Sequence, residues 1–180
     1  MLDVTLAISH TDPRPDDPSS SGTWTALLSS GPHRKFLHGR LPHVASTERL
    51  LTAATAGFEA LKQPSTVGVI TLSQALGEVF ASPSSSSSSP PHPAFAPDAA
   101  LWERFRQATQ PHHSHWVHPM TPSDRELLNQ ATRYVHPAGQ DVDQTSQWLT
   151  ERLDDPTFRA LLVEYLHTHP DVLREMERSS

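Results

Sequence analysis

The chain has 180 residues, enough for one domain with a real core and a modest appendage, and its hydrophobic fraction of 36% is low for a compact domain. It has 17 prolines and no cysteine, which excludes disulfides, thiolate catalysis and cysteine-based zinc or iron–sulfur sites. The formal net charge is −6 and lysine occurs only at Lys35 and Lys62, a poor starting point for a protein that neutralises phosphates. No apolar run approaches the roughly 20 residues that span a bilayer. The start Met1-Leu-Asp-Val-Thr-Leu has neither the basic region nor the apolar stretch of a signal peptide, so a soluble intracellular, cytoplasmic protein is expected.

Val4–Ile8, apolar at 4, 6 and 8, reads as a strand. The following segment, 13–22, is proline, aspartate, serine and glycine, the chemistry of a loop. Trp24–Ser29 and Arg34–His38 form the next two strands, turning at Ser30-Gly31-Pro32. A helix starts at Ser46 or Thr47, either of which can cap it, and runs to Lys62 with Leu51, Ala54, Phe58 and Leu61 at helical spacing. Val67–Thr71 is a short, nearly continuous apolar strand, as expected of a central strand covered on both faces. Ser73–Phe80 reads as a second helix. Residues 82–97 are a Ser/Pro tract expected to be disordered.

A helix follows from Asp98, its N-cap, to Thr109, then a strand over His113–His118 and a helix from Ser123 to Tyr134. Beyond Gly139, Val142–Leu153, Pro156–His167 and Pro170–Arg178 read as three short helices, two of them opened by proline. Their apolar residues, Trp148, Phe158, Leu162 and Tyr165 among them, are too many for a solvated tail. They predict packing on the domain or a face for a protein partner or self-association.

Residues 1–135 resemble a ribonuclease HI domain. The resemblance rests on Thr11-Asp12 at the end of the first strand, Gly22-Thr-Trp-Thr-Ala-Leu-Leu after the loop, the stretch from Ser46 to Lys62, and Val67-Gly-Val-Ile-Thr-Leu-Ser-Gln74. Leu101-Trp-Glu-Arg-Phe105 and His115-Trp-Val117 are similar to the family's late helix and last strand. It implies an α/β fold with a five-stranded mixed sheet flanked by helices over residues 1–138, and a helical C-terminal extension over 139–180.

Enzymes of this family hold two divalent metals with four carboxylates and cleave the RNA strand of an RNA–DNA hybrid, because each cation must exchange water for oxygen ligands. Asp12 stands where the first acid belongs. The helix acid falls on Leu50 and the strand-end acid on Leu72. The last falls on Leu128, with Asn129, Glu126 and Asp124 as competing assignments. Leucine offers a hard cation no lone pair. The expectation is therefore a catalytically degenerate ribonuclease H-like module with no metal or other cofactor, acting as a nucleic-acid-associated adaptor or assembly subunit. The three leucines should converge and fill the former metal cleft.

Two alternatives stand beside it. One is an active hybrid nuclease using Mg²⁺ or Mn²⁺ on relocated acids, Asp12, Glu48, Glu126 and Asp124. In it Glu48 would have to reach inward from a position roughly 200° around the helix from Leu50. The other is a non-catalytic binder of RNA–DNA hybrid or duplex. Ser46, Thr47, Ser73 and Gln74 lie where the family touches the hybrid, although helix capping accounts for three of them. His112, His113 and His115 match no zinc spacing, and surface histidine is the expected role.

Overall fold

A computed structural model describes residues 2–12, 22–41, 44–81 and 98–135, together with positions 156, 159, 160, 163, 166, 167, 170, 174 and 178. The strands are β1 (Leu2–Thr11), β2 (Gly22–Ser30), β3 (His33–Leu41), β4 (Ser65–Ile70) and β5 (His113–Val117). The helices are α1 (Ser46–Glu59), α2 (Gln74–Ala81), α3 (Ala99–Thr109) and α4 (Pro122–Val135). Each expected element over these residues is present. The Ser/Pro tract and Trp148, Phe158, Leu162 and Tyr165 lie outside the described residues. The nine described positions between 156 and 178 are helical, with Leu166 half-buried and Val163 exposed.

The strands form one sheet in the order β3-β2-β1-β4-β5. β1 pairs antiparallel with β2 and parallel with β4; β3 joins β2 antiparallel and β5 joins β4 parallel, so the sheet is mixed. The β2–β3 connection is a two-residue turn at Gly31-Pro32, with Ser30 opposite His33. Gly31 has φ of 54°, a conformation that costs glycine nothing and a side-chain-bearing residue about 1–2 kcal/mol.

Strand alternation divides the core in two. Val4, Leu6 and Ile8 of β1, Ala26 and Leu28 of β2, and Val67 and Val69 of β4 face α1 together with Leu50, Leu51, Ala54 and Phe58. Ala7, Leu27 and Ile70 face the other way, under Leu127, Leu128 and Ala131 of α4. On the α1 side an aromatic cluster ties three helices together. Phe58 stacks on Phe80 of α2 at 5.9 Å and meets Phe105 of α3 edge-on at 6.4 Å, while Trp102 stacks on Phe105 at 5.4 Å. Such pairs stabilise by about 0.5–1.5 kcal/mol each beyond area burial.

The helix ends correct three expectations. Neither Ser46 nor Thr47 caps α1: Ala45 holds the cap position with no side-chain hydrogen bond, because the helix begins one residue before either hydroxyl could serve. Asp98 is the N-cap of α3, but its side chain makes no capping bond. α4 starts earlier than Ser123. Thr121 Oγ1 accepts from the Asp124 amide at 3.1 Å and Pro122 takes the first helical position, where its missing N–H costs nothing. α1 also ends at Glu59 rather than Lys62.

Candidate functional site

β1 and β4 are adjacent and parallel, so their C-terminal ends open on the same edge of the sheet. There β1 delivers Asp12, β4 leads into Leu72, and the first turns of α1 and α4 approach from opposite faces.

The side chain that organises this end is one that sequence reading passed over. Arg49 of α1 is only 2% exposed. Its guanidinium donates to Asp12 Oδ1 and to the Val44 carbonyl, and the pairing with Asp12 is an ion pair. Its Nε is buried with no hydrogen-bond partner among the described residues. His10 Nε2 lies 4.0 Å from the same carboxylate oxygen. Asp12 is 68% exposed, so the carboxylate faces water on one side and a guanidinium on the other. Gly22 makes room for this arrangement, since a Cβ there would stand 2.5–2.7 Å from the guanidinium.

A visible signal could have found Arg49. It precedes buried Ala53 and Gly57 at four-residue spacing, so the three stack on one line of the helix, which Gly57 presses against Leu6. A long cation above two small buried residues has to run inward along the sheet. What sequence spacing does not supply is its partner, 37 residues away.

Leu50 is 3% exposed and belongs to the α1-side cluster. Leu128 is fully buried in the α4-side cluster, and half-buried Leu72 packs against that same group. The expected convergence of all three is therefore corrected: Leu72 and Leu128 share the α4-side cluster, while Leu50 lies in the cluster across the sheet. The reason is the alternation of β1, which turns Leu6 and Ile8 toward α1 and Ala7 toward α4.

The polar residues expected at a duplex interface make local bonds where bonds are resolved. Ser73 Oγ accepts from the Leu76 amide at 3.3 Å, capping α2, and the Ser73 amide donates to Thr71 Oγ1 at 3.1 Å. Gln74 Nε2 donates to Glu78 Oε1 at 2.8 Å, one turn along the helix. Ser46 and Thr47 are half-buried in the first turn of α1. Glu48 is half-buried beside them, and Asp124 and Glu126 lie in the first turns of α4, half-buried and exposed. Among the described residues no three His, Asp or Glu side chains gather into a group that could hold a metal ion. The donor set described at this end does not fit a pair of divalent cations: Asp12 is engaged by a fixed cation, and no group of three His, Asp or Glu side chains forms around it among the described residues.

The histidines flanking β5 have structural surroundings. His112 Nδ1 accepts from the Ser65 amide at 3.2 Å and its ring lies 5.6 Å from Phe58, so burial holds its pKa below the ordinary histidine value and the neutral tautomer carries its proton on Nε2. His118 is 6% exposed with its ring 4.4 Å from the Trp116 indole, and burial pushes its pKa down to about 4. Trp116 packs against the α1-side core, with its indole against Gly77 of α2.

Comparison with known proteins bears on the fold. The ribonuclease H of Thiobacillus denitrificans is 44% identical over 54 residues, which span 30% of this chain and 36% of that protein. Among solved structures, LC9-RNase H1, a type 1 enzyme with the type 2 active-site motif, superposes with a TM-score of 0.52 at 13% identity, over 88% of this chain and 84% of its own. The foamy viral protease-reverse transcriptase, in complex with RNA/DNA hybrid, matches with a TM-score of 0.51 at 12% identity over 74% of this chain and 19% of its own. No family model matches the chain.

Proposed function

We propose that this chain, which has the ribonuclease H-like fold, is a non-catalytic module of that kind, serving as a nucleic-acid-associated adaptor or a subunit of a larger assembly. The observation that carries the reading is the Arg49–Asp12 pair. A buried guanidinium occupies the side of Asp12 that faces the protein, where a ligand carboxylate would need to meet a divalent cation. A cation fixed beside the carboxylate repels a second one, so it lowers the site's affinity for a diffusible cation, by less than it would in a fully buried site because Asp12 is largely exposed. Leu50, Leu72 and Leu128 remove the remaining oxygen donors. Folds outlast their chemistry, and the chemistry has to be argued from the residues at the site.

The competing nuclease reading requires Glu48, Asp124 and Glu126 to join Asp12 around metal. Glu48 precedes Leu50 by two helical positions and points about 200° away from it, and α4 covers the opposite sheet face from α1. Nothing in that arrangement gathers the four.

The test is cleavage of an end-labelled RNA–DNA hybrid in Mg²⁺ and in Mn²⁺ by folded wild-type protein and by Asp12→Asn. The reading expects no cleavage by either protein. Metal-dependent cleavage by the wild type that disappears in Asp12→Asn would refute it.

A further inference from the structure

The net charge of −6 conceals a local excess of the opposite sign. β2 and β3 together contain no Asp or Glu, while β3 carries Arg34, Lys35 and Arg40 with His33 and His38. β3 is the edge of the sheet, and all five of these side chains are exposed.

Register sorts them by face. Arg34, Phe36, His38 and Arg40 stand opposite Ser29, Leu27, Thr25 and Thr23, on the sheet face that α4 covers over β1 and β2. Lys35 and Leu37 stand opposite Leu28 and Ala26, on the α1 side, where Leu37 packs against the core. One face of the edge strand thus reads cation, aromatic, imidazole, cation over seven residues, about 20 Å at strand rise. Phe36 keeps 38% of its surface exposed, one of few large apolar side chains to do so. Arg34 is steadied by bonds from Nη1 to Ser29 Oγ and the Gly31 carbonyl, which do not use its Nε and Nη2 donors.

We propose that the outer face of β3, with Arg34, Phe36 and Arg40 at alternate positions and Lys35 on the rim, is a binding surface for single-stranded nucleic acid. Cations spaced along a groove or strand track a phosphate backbone, and an exposed aromatic between them gives a base a surface to stack on. The main rival occupant of an edge strand is a second copy pairing edge to edge. Three cations in nine residues oppose that, because the two copies would bring like charges together. The surface is built from residues other than Ser46, Thr47, Ser73 and Gln74, and it rests on the proposed adaptor role only for the class of partner. It can fail while the cleft remains non-catalytic.

The experiment is fluorescence anisotropy of a labelled oligothymidine of about 15 nucleotides, within the range of single-strand site sizes, titrated with the full chain across a salt series. Three phosphate contacts at about −0.7 each predict a slope of log K against log salt near −2. The triple variant Arg34→Ser, Lys35→Ser, Arg40→Ser should weaken binding at least tenfold at low salt and flatten the slope toward zero. Phe36→Ala should weaken binding on the order of tenfold and leave the slope unchanged. Lys62→Ser with Arg104→Ser, which also removes exposed positive charge, should have no effect. All three substituted cations are exposed, so the triple variant should melt as the wild type does.

Three results would overturn the proposal. One is no binding by the wild type at low salt. Another is equal binding by the triple variant and the wild type. The third is equal competition by polyglutamate with no effect of Phe36→Ala, which would reassign the strip to an acidic protein partner.

Discussion

Two regions of this molecule use arginine in opposite ways. At the sheet end near α1, Arg49 is buried, fixed by Asp12 and the Val44 carbonyl, and fits only because residue 22 is glycine. On β3, Arg34 and Arg40 are exposed on an edge strand whose neighbour carries no acid. A buried guanidinium ends its chemistry inside the fold, neutralising a carboxylate. The β3 cations instead keep their charge at the surface. The contrast sets an internal charge balance at the end of β1 against unburied positive charge at the sheet edge.

The largest effect that sharpens this contrast concerns the leucines. Leu128→Ala, at a fully buried position, should cost about 2–5 kcal/mol of unfolding free energy, and Leu72→Ala, half-buried, clearly less. Urea melts of both give the comparison. Equal costs would mean that the two do not occupy the cluster as described.

Next comes the buried cation. Asp12→Asn leaves Arg49 uncompensated and should destabilise by about 1–2 kcal/mol, below the 3–5 kcal/mol of a fully buried pair because Asp12 is largely exposed. Arg34→Ser on β3 should fall within about 0.5 kcal/mol, the usual range for exposed positions. If the two substitutions cost the same in thermal melts, the distinction between buried and exposed arginine fails.

pH offers a third handle. His118 is neutral in the fold with its pKa near 4, whereas in the unfolded chain it titrates near 6.5. The unfolded state therefore binds more protons between these values, so stability rises with pH across that window. The contribution is complete above about 6.5 and is lost as pH falls toward 4, at about 1.4 kcal/mol per unit. His118→Phe should flatten that part of the profile, and an unchanged slope would count against a buried neutral imidazole.

The smallest effect is at the surface. Arg104 grips Glu59 through two bonds of 2.7 Å, tying α3 to α1, and the arginine holds the Glu59 carboxyl below its ordinary value. Both partners are well exposed. A double-mutant cycle should return less than about 1 kcal/mol, declining with salt.

Much of the fold was legible because its signals are local. Alternation marked β1, helical spacing marked α1, and Gly31 marked the hairpin turn. The start of α4 was marked as well, since Thr121-Pro122 is a cap followed by a first-turn proline, although the reading began that helix at Ser123. The candidate site was less so. Leu50 and Leu72 drew attention through their flanking motifs, yet which sheet face each meets depends on strand register that motifs do not encode. Arg49 and Asp12 are distant in sequence, and the cations of β3 looked dispersed because chain-wide charge averages over faces that only pairing separates.

The most direct test of the central claim is Mn²⁺ titration followed by NMR, reading paramagnetic broadening of the backbone amides around Asp12, Gly22 and Arg49. With Arg49 filling the cation position, these amides should keep their intensities at Mn²⁺ concentrations that broaden only exposed surface carboxylates. Saturable broadening centred on Asp12, Gly22 and Arg49 would mean that the cleft still gathers a divalent cation, and would contradict the account.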